Sequence, residues 1–140
     1  MTRDEIIEKW ESQDRRARDA WVAERVMGLH VYTMKEPDRW KMALAKACGV
    51  GKRERNKIPW IETLYAGSEH LCFYSTNKED AWTILDFLHK QGWLWQMTQF
   101  ENRVVVRLSH PAQDKLIDDV EASDQPQAIC LAALIAVETE

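Results

Sequence analysis

The stretch that decides the fold is DQPQAICLAALIAV, residues 124–137, close to the C-terminal end of the sequence. Its apolar side chains fall on nearly every side of a helix rather than on one face, and a helix of that kind has to be buried. Ser123 or Asp124 can cap this helix, and Pro126 stands at an early position where its missing N–H group costs little. The sequence therefore predicts a buried helix in this part of the chain.

Capping residues and helical periodicity predict four more helices upstream of this stretch. Thr2 and Glu5 are spaced as a capping box, in which two free N–H groups at a helix start are satisfied. Asp38 can cap the helix that follows Pro37. The predicted helices are Arg3 to about Glu11, a second one capped by Ser12 or Asp14, a third within DRWKMALAKAC, and a fourth from about Asn77 to Gln91 capped by Ser75 or Thr76.

Short runs rich in β-branched and aromatic residues predict strands between the helices. The predicted strands are LHVYTM, WIETLY, HLCFY, WLWQMTQ and RVVVRLS, and residues 110–122 fit a loop, a short helix or an edge strand. Helices at both ends with strands between them predict an α+β fold, an α/β/α sandwich in which a mainly antiparallel sheet is covered by helices. The length of 140 residues suits one domain, residues 1–140.

Composition indicates a globular protein of the cytoplasm. No apolar run approaches the roughly 20 residues that cross a bilayer, the N-terminal residues are charged, and three unpaired cysteines indicate reduced thiols. The net charge of −4 argues against a general nucleic-acid binder. The charge is uneven, because residues 1–57 carry 14 Lys or Arg and 10 Asp or Glu, whereas residues 58–140 carry 5 and 13. This asymmetry fits an anionic partner, head-to-tail packing of copies, or simply scattered solvated faces.

The motifs of several enzyme classes are missing from the sequence. The glycines of CGVGKRERNKIPW, residues 48–60, end a helix instead of opening one, and the spacing is not that of a phosphate-binding loop. His70 and Cys72 are the one close His/Cys pair, too little for a metal site. No Gly-x-Ser-x-Gly elbow is present. We therefore expect neither an enzyme, nor a metal, nor a cofactor.

The positive chemistry is a cationic loop combined with tryptophans. Guanidinium and ammonium groups bind phosphate oxygens, and indole rings stack on bases, so together they could hold a small nucleotide-like anion. Each part alone has a plainer explanation, because tryptophans on a strand usually pack in the core and a charge run is usually a solvated loop. The candidate ligand-binding residues are Lys52, Arg53, Arg55, Lys57, Trp60 and Trp93.

Three separated blocks of the sequence resemble the phage ABA-sandwich domain family. The matching positions are Asp19 to Gly28, Tyr74 to Trp82 and Gln125 to Leu134. The sequence departs from the family pattern at Asn77, where the family has Asp, and at residues 125–127, which replace Ala-Pro-Glu. The resemblance implies a helix–sheet–helix sandwich of phage or prophage origin, carries no catalytic residues over, and leaves a variable insert at about residues 35–61 outside the shared blocks.

By analogy with small phage proteins, we expect a noncatalytic, counter-defence binding protein. The first hypothesis is a homo-oligomer that sequesters a small anionic nucleotide-type signal. The alternative is an inhibitor or adaptor that binds a host protein through the insert helix, with Trp40, Met42 and Leu44 as the contact residues. The least favoured hypothesis is a hydrolase that destroys a nucleotide signal. We expect no membrane association and no sequence-specific binding of nucleic acid.

Overall fold

The computed structural model describes residues 1–139 as six helices and six strands. The helices are α1 Arg3–Ser12, α2 Arg15–Arg25, α3 Arg39–Ala47, α4 Lys52–Arg55, α5 Lys78–Lys90 and α6 Gln125–Glu138. The strands are β1 Val31–Pro37, β2 Trp60–Ala66, β3 Glu69–His70, β4 Leu94–Gln99, β5 Val104–His110 and β6 Lys115–Ala122. A short 3₁₀ helix, Pro111–Gln113, joins β5 to β6.

Helix α6 is the centre of the core, as its all-round apolar sequence predicts. Asp124 caps it by accepting a hydrogen bond from the Gln127 N–H group, and Pro126 lies in its first turn. Ten of its residues are buried, and it packs against α1, α2, α5, β5 and β6. Because neighbours cover it on several sides, no single face of the helix has to be polar.

The strands form two antiparallel sheets of three strands each, in the orders β1-β2-β3 and β4-β5-β6. In β5, Val104, Val106 and Leu108 point into the core and are buried, while alternate residues face outward. The segment that fitted a loop, a helix or an edge strand is the edge strand β6. The prediction of an α+β sandwich with antiparallel strands covered by helices is confirmed.

The prediction that the glycines of residues 48–60 only end a helix was wrong for Gly51, which is the N-cap of α4. Two further local predictions were wrong. Asn77, not Ser75 or Thr76, caps α5, by accepting a hydrogen bond from the Asp80 N–H group; Ser75 is buried and its N–H group donates to Asp19 instead. The predicted strand HLCFY is extended only as far as His70, where β3 ends. Both errors come from tertiary contacts of the segment 71–76, which nothing in the local sequence announces.

The residues between β1 and β2 contribute nothing to the core. Helices α3 and α4 contain no buried residue. We call residues 35–61 the arm: it comprises the last part of β1, both helices and the start of β2. The arm carries eight Lys or Arg and three Asp or Glu, a balance of +5, which leaves −9 for the other residues given the total of −4.

Gly92 ends α5 in a conformation that a side chain would strain. Its φ is +99°, and an added Cβ would lie 2.8 Å from Nε2 of His110, whose ring is fixed by a hydrogen bond to the Gln91 carbonyl oxygen. We expect Gly92→Ala to lower the free energy of unfolding by about 1–3 kcal/mol for the backbone alone, and by more for the contact with His110. Urea denaturation measures this.

Gly28→Ala is the matched control, because Gly28 also has a positive φ, +68°, but no atom lies within 4 Å of the added Cβ. The difference between the two variants reports the clash with His110 together with the extra strain of φ +99°, which lies outside the left-handed helical region that Gly28 occupies. Equal losses of stability would contradict the fixed placement of that ring.

Candidate functional site

The predicted cations lie in and just after α4, the second helix of the arm. Lys52, Arg53 and Arg55 belong to the single turn of α4, and Lys57 follows it, with its Nζ 3.2 Å from Oε1 of Glu54. Arg55 is half-buried, and its Nε has no hydrogen-bond partner among the described residues. The structure therefore brings the four cations together on one short segment, but none of them lines the two clefts beside the arm.

The two predicted tryptophans lie in opposite environments. Trp60 begins β2 and is 67% exposed, so its ring is available for contact. Trp93 is only 6% exposed and lies edge-on to the ring of His110, at 5.2 Å between centroids. The inclusion of Trp93 in the binding set was therefore wrong, because the helices and strands already bury the ring that was to stack on a ligand.

The alternative contact residues lie on α3. Trp40 is 86% exposed and Leu44 is 66% exposed, whereas Met42 is half-buried beside the end of β1. The helix begins at Asp38, which accepts hydrogen bonds from the N–H groups of Trp40 and Lys41. Two large apolar side chains therefore stand in solvent on a capped helix.

A cleft of about 310 Å³ runs between the start of α3, strand β2 and the segment that follows β3. Its walls are largely apolar, and the cations Arg16 and Arg39 lie at its rim together with His70. Four consecutive residues of β2 line it, so the cleft follows the edge of the strand and not one face of it. The lining side chains include Trp40, Ile61, Glu62, Thr63, Leu64, Leu71 and Phe73.

Arg16 fixes the position of the segment that follows β3, which forms one wall of this cleft. Its guanidinium donates to Oδ2 of the buried Asp19 at 2.8 Å, and to the carbonyl oxygens of Leu71 at 2.9 Å and Cys72 at 3.1 Å. It also lies over the ring of Phe73, at 4.1 Å from the centroid. Asp19 in turn accepts the Ser75 N–H group at 2.7 Å. Arg16 is thus committed to the protein itself, which leaves Arg39 as the cleft's cation for a partner.

A second polar group lies on the sheet of β1, β2 and β3. The Tyr65 hydroxyl donates to one carboxylate oxygen of Glu36, and Nε2 of His70 lies 2.9 Å from the other. The hydrogen bond from Tyr65, followed by that from His70, holds the pKa of Glu36 below its ordinary value of 4.5. The same bond to Glu36 raises the pKa of Tyr65. These contacts tie the three strands together near the base of the arm.

The thiols of the core do not have the character of nucleophiles or metal ligands. Burial raises the pKa of Cys72, and burial also raises that of Cys130 well above its ordinary value, so both stay protonated at neutral pH. His70 of the close His/Cys pair is engaged by Glu36. Within residues 1–139, no three His, Cys, Asp or Glu side chains are grouped so as to hold a metal ion.

Sequence reasoning missed the residues that shape the cleft, namely Arg16, Arg39, His70 and Phe73. In the sequence, Arg16 is one of three arginines in the charged run DRRARD, and no neighbouring residue distinguishes it from Arg15. Contacts with residues about 55 positions away give it its role. The one sequence signal that could have indicated this cleft was Phe73, a large aromatic residue shortly before the cap of α5.

Helices packed on two antiparallel three-stranded sheets, with a basic arm whose helices contain no buried residue, define the molecule as a small α+β sandwich. The family model of the phage ABA sandwich domain matches residues 20–134. The chain therefore belongs to the phage ABA sandwich domain family. Comparisons with curated proteins and with solved structures gave no match.

In the described part of the chain, no helix has both the length and the apolar character needed to cross a membrane.

Glu36→Gln is expected to reduce the loss of stability in acid. Because the folded protein keeps the pKa of Glu36 below 4.5, the unfolded chain binds this proton more readily. The stabilising contribution of Glu36 is therefore complete above pH 4.5 and is lost as the pH falls toward the folded-state pKa. Urea midpoints measured from about pH 7 down to about pH 3 should fall less steeply for the variant than for the wild type.

Glu62→Gln is the control, because Glu62 is an exposed carboxylate on the neighbouring strand β2. It should retain the acid dependence of the wild type. If Glu36→Gln and the wild type lose stability in parallel, the Tyr65–Glu36–His70 contacts do not stabilise the fold.

Proposed function

We propose that this phage protein is a noncatalytic inhibitor or adaptor that binds an acidic host protein through its arm. The observation that carries the proposal is the exposure of Trp40, at 86%, on the first helix of a segment with a charge balance of +5. Exposed apolar groups rimmed by polar residues mark protein–protein contact sites, and tryptophan is enriched among the residues that dominate binding energy.

The arrangement of the arm suits protein binding better than the capture of a small molecule. Trp40, Leu44 and Trp60 offer apolar contact area on the arm. The surrounding lysines and arginines steer an acidic surface toward it and raise the association rate. A protein interface of this kind combines a small apolar centre with a charged rim.

The nucleotide hypothesis stays a prediction with less support. Its cations line neither cleft beside the arm, and Trp93 is buried. Neither cleft beside the arm therefore provides a phosphate site at these residues, and the hypothesis now relies on a homo-oligomer in which α4 of one copy faces another. Lys52, Arg53, Arg55 and Lys57 keep a role in both hypotheses, because they attract any anionic partner.

In our proposal the protein acts in the cytoplasm of an infected bacterium, against a host defence protein; membership of a phage family supports a setting in an infected cell. A noncatalytic role is supported by the protonated state of the Cys72 and Cys130 thiols and by the engagement of His70 with Glu36. Binding alone is sufficient for an inhibitor, since it needs only to cover a surface of its target.

Trp40→Ala is expected to abolish capture of the partner. Truncation of a central aromatic anchor costs on the order of 2–4 kcal/mol of binding free energy, about 30- to 1000-fold in Kd. The measurement is a pull-down from bacterial lysate with tagged wild-type protein, followed by titration of the captured protein. Leu116→Ala, which removes an exposed apolar residue of β6 outside the arm, should bind as the wild type does. Equal capture by both variants would overturn the proposal.

Lys52→Gln/Lys57→Gln is expected to slow association and to reduce its dependence on salt. Both lysines belong to the arm, and exposed charges act over roughly 10 Å at an ionic strength of about 0.1 M. Stopped-flow or biosensor association rates at several salt concentrations measure the effect. The matched double variant Lys78→Gln/Lys90→Gln removes two exposed lysines of α5 instead and should leave the salt dependence unchanged. Calorimetric heat with cyclic di- or trinucleotides, lost in the first double variant alone, would favour the nucleotide hypothesis.

A further inference from the structure

Strand β2 has an edge that β3 covers over only part of its length. β1 pairs with all seven residues of β2, but β3 pairs only with Tyr65 and Ala66. Beyond β3, the Leu71 N–H group donates to the Leu64 carbonyl oxygen at 3.0 Å, and there the pairing stops. Residues 60–63 of β2 therefore have a neighbour on the β1 side and none on the other.

The register tells which main-chain groups are left on that edge. In an antiparallel ladder, alternate residues turn their N–H and C=O groups to opposite neighbours. The Gly67 N–H group bonds to His30 of the β1 side, whereas the Leu64 carbonyl oxygen bonds to Leu71. Even-numbered residues of β2 therefore turn away from β1, so Trp60 and Glu62 present their main-chain groups on the open edge, and Glu62 also lines the cleft.

Arg16 is the reason that the edge is open. Continuation of the β3 register would place Phe73 opposite Glu62 and Tyr74 opposite Ile61, since Tyr65 pairs with His70. Instead, Arg16 binds the carbonyl oxygens of Leu71 and Cys72, and the Phe73 N–H group donates to Asp80 at 2.8 Å. The chain is held against α2 and α5, and this part of the β2 edge is left without a partner strand.

The 310 Å³ cleft lies beside this open edge, and its walls suit an extended peptide. Apolar side chains from three directions converge on it, from Trp40 of α3, Leu64 of β2 and Phe73 after β3. An extended segment alternates its side chains, so that every second one could enter this apolar cleft while its main chain pairs with Trp60 and Glu62.

The charges of the arm favour an acidic segment as the occupant of this cleft. Arg39 lines the cleft, and the arm as a whole has a charge balance of +5. Glu62 is the exposed acidic side chain on β2, and Asp38 is occupied in capping α3. A carboxylate on an outward position of an added strand could pair with Arg39, and the positive balance of the arm attracts an acidic segment over a longer range.

The opposite edge of the same sheet is less suitable. On β1 the outward groups belong to Val31, Thr33 and Lys35, and Pro37 has no N–H group to offer. A lysine and a proline are the residues by which natural sheets protect an edge from pairing. The β1 edge is therefore protected, while the β2 edge lies recessed in an apolar cleft.

We propose that the partner protein inserts an extended segment of alternating acidic and apolar residues into this cleft, where it adds a strand to the edge of β2 at Trp60 and Glu62. This inference rests on the proposed function, because it specifies which part of a protein partner the arm receives. The main-chain hydrogen bonds supply affinity, and Trp40, Leu64 and Phe73 select the apolar side chain.

The test is a selection of displayed random octapeptides on wild-type protein, followed by titration of the enriched peptides. We expect enrichment of peptides that alternate acidic and apolar residues. Glu62→Pro should weaken their binding at least tenfold, because proline removes the N–H group that faces the cleft and leaves the bonds to β1 intact. Thr33→Pro is the matched control: Thr33 lies outside the arm, is paired directly with Leu64 and turns its N–H group to the other edge, so this variant should bind as the wild type does.

N-methylation of alternate amides in an enriched peptide is a second test that needs no variant protein. Methyl groups on the amides facing β2 should weaken binding at least tenfold, whereas methyl groups on the other set should not. Failure of either expectation, enrichment of basic peptides, or no enrichment at all would overturn the strand-addition proposal. Dimers of the wild type that Glu62→Pro abolishes would also overturn it, because a second copy would then occupy the edge.

The lysate experiment separates this inference from the proposed function. If Trp40→Ala loses the captured protein but Glu62→Pro keeps it, the arm binds a host protein by another mode and only strand addition is wrong. If both variants keep it, the proposed function is wrong as well.

Discussion

The requirement that α6 be covered on all sides is the constraint on which the structure depends. A helix without a polar face can be stable in water only if every side is packed, and here α1, α2, α5, β5 and β6 all contact it. Ala128, Ala132, Ala133 and Ala136 keep its surface narrow, so that these elements can approach closely. Once they are in place, the core is complete and the arm has no part in it.

The arm is consequently stabilised by its attachment and not by burial. A helix of nine residues is marginal by itself in water, and α3 contains no buried residue. The two ends of the segment that contains α3 and α4 are fixed to each other instead. Pro37 pairs with Trp60, and the Asp38 N–H group donates a hydrogen bond of 3.1 Å to the Pro59 carbonyl oxygen. The apolar side chains of α3 therefore do not serve the fold, and this distinguishes Trp40 from Trp21 or Trp93, which are buried.

The sequence was sufficient for those elements whose signals are local. The capping box of Thr2 and Glu5, the proline and cap of α6, and the alternation in β5 all depend on residues close in the chain, and the structure has each of them. Trp93 could not be placed in this way, because strand alternation does not tell which face a helix will cover. The four cations of the candidate site are close together in the sequence, but whether they line a cleft depends on the tertiary structure, and they line neither cleft beside the arm.

The failed prediction of a longer β3 is the most informative of the differences, because it links the core to the candidate site. The segment HLCFY has the composition of a strand, and pairing with β2 would have satisfied its main chain. Arg16, Asp19 and Asp80 offer the same main-chain groups charge-assisted hydrogen bonds, which are stronger than neutral ones. The segment also gains the burial of Leu71 and Tyr74 in the core. When this segment leaves the sheet it gains these contacts, and β2 is left without the strand that would have paired with it. The open edge of β2 therefore results from the way the core is completed and not from the arm.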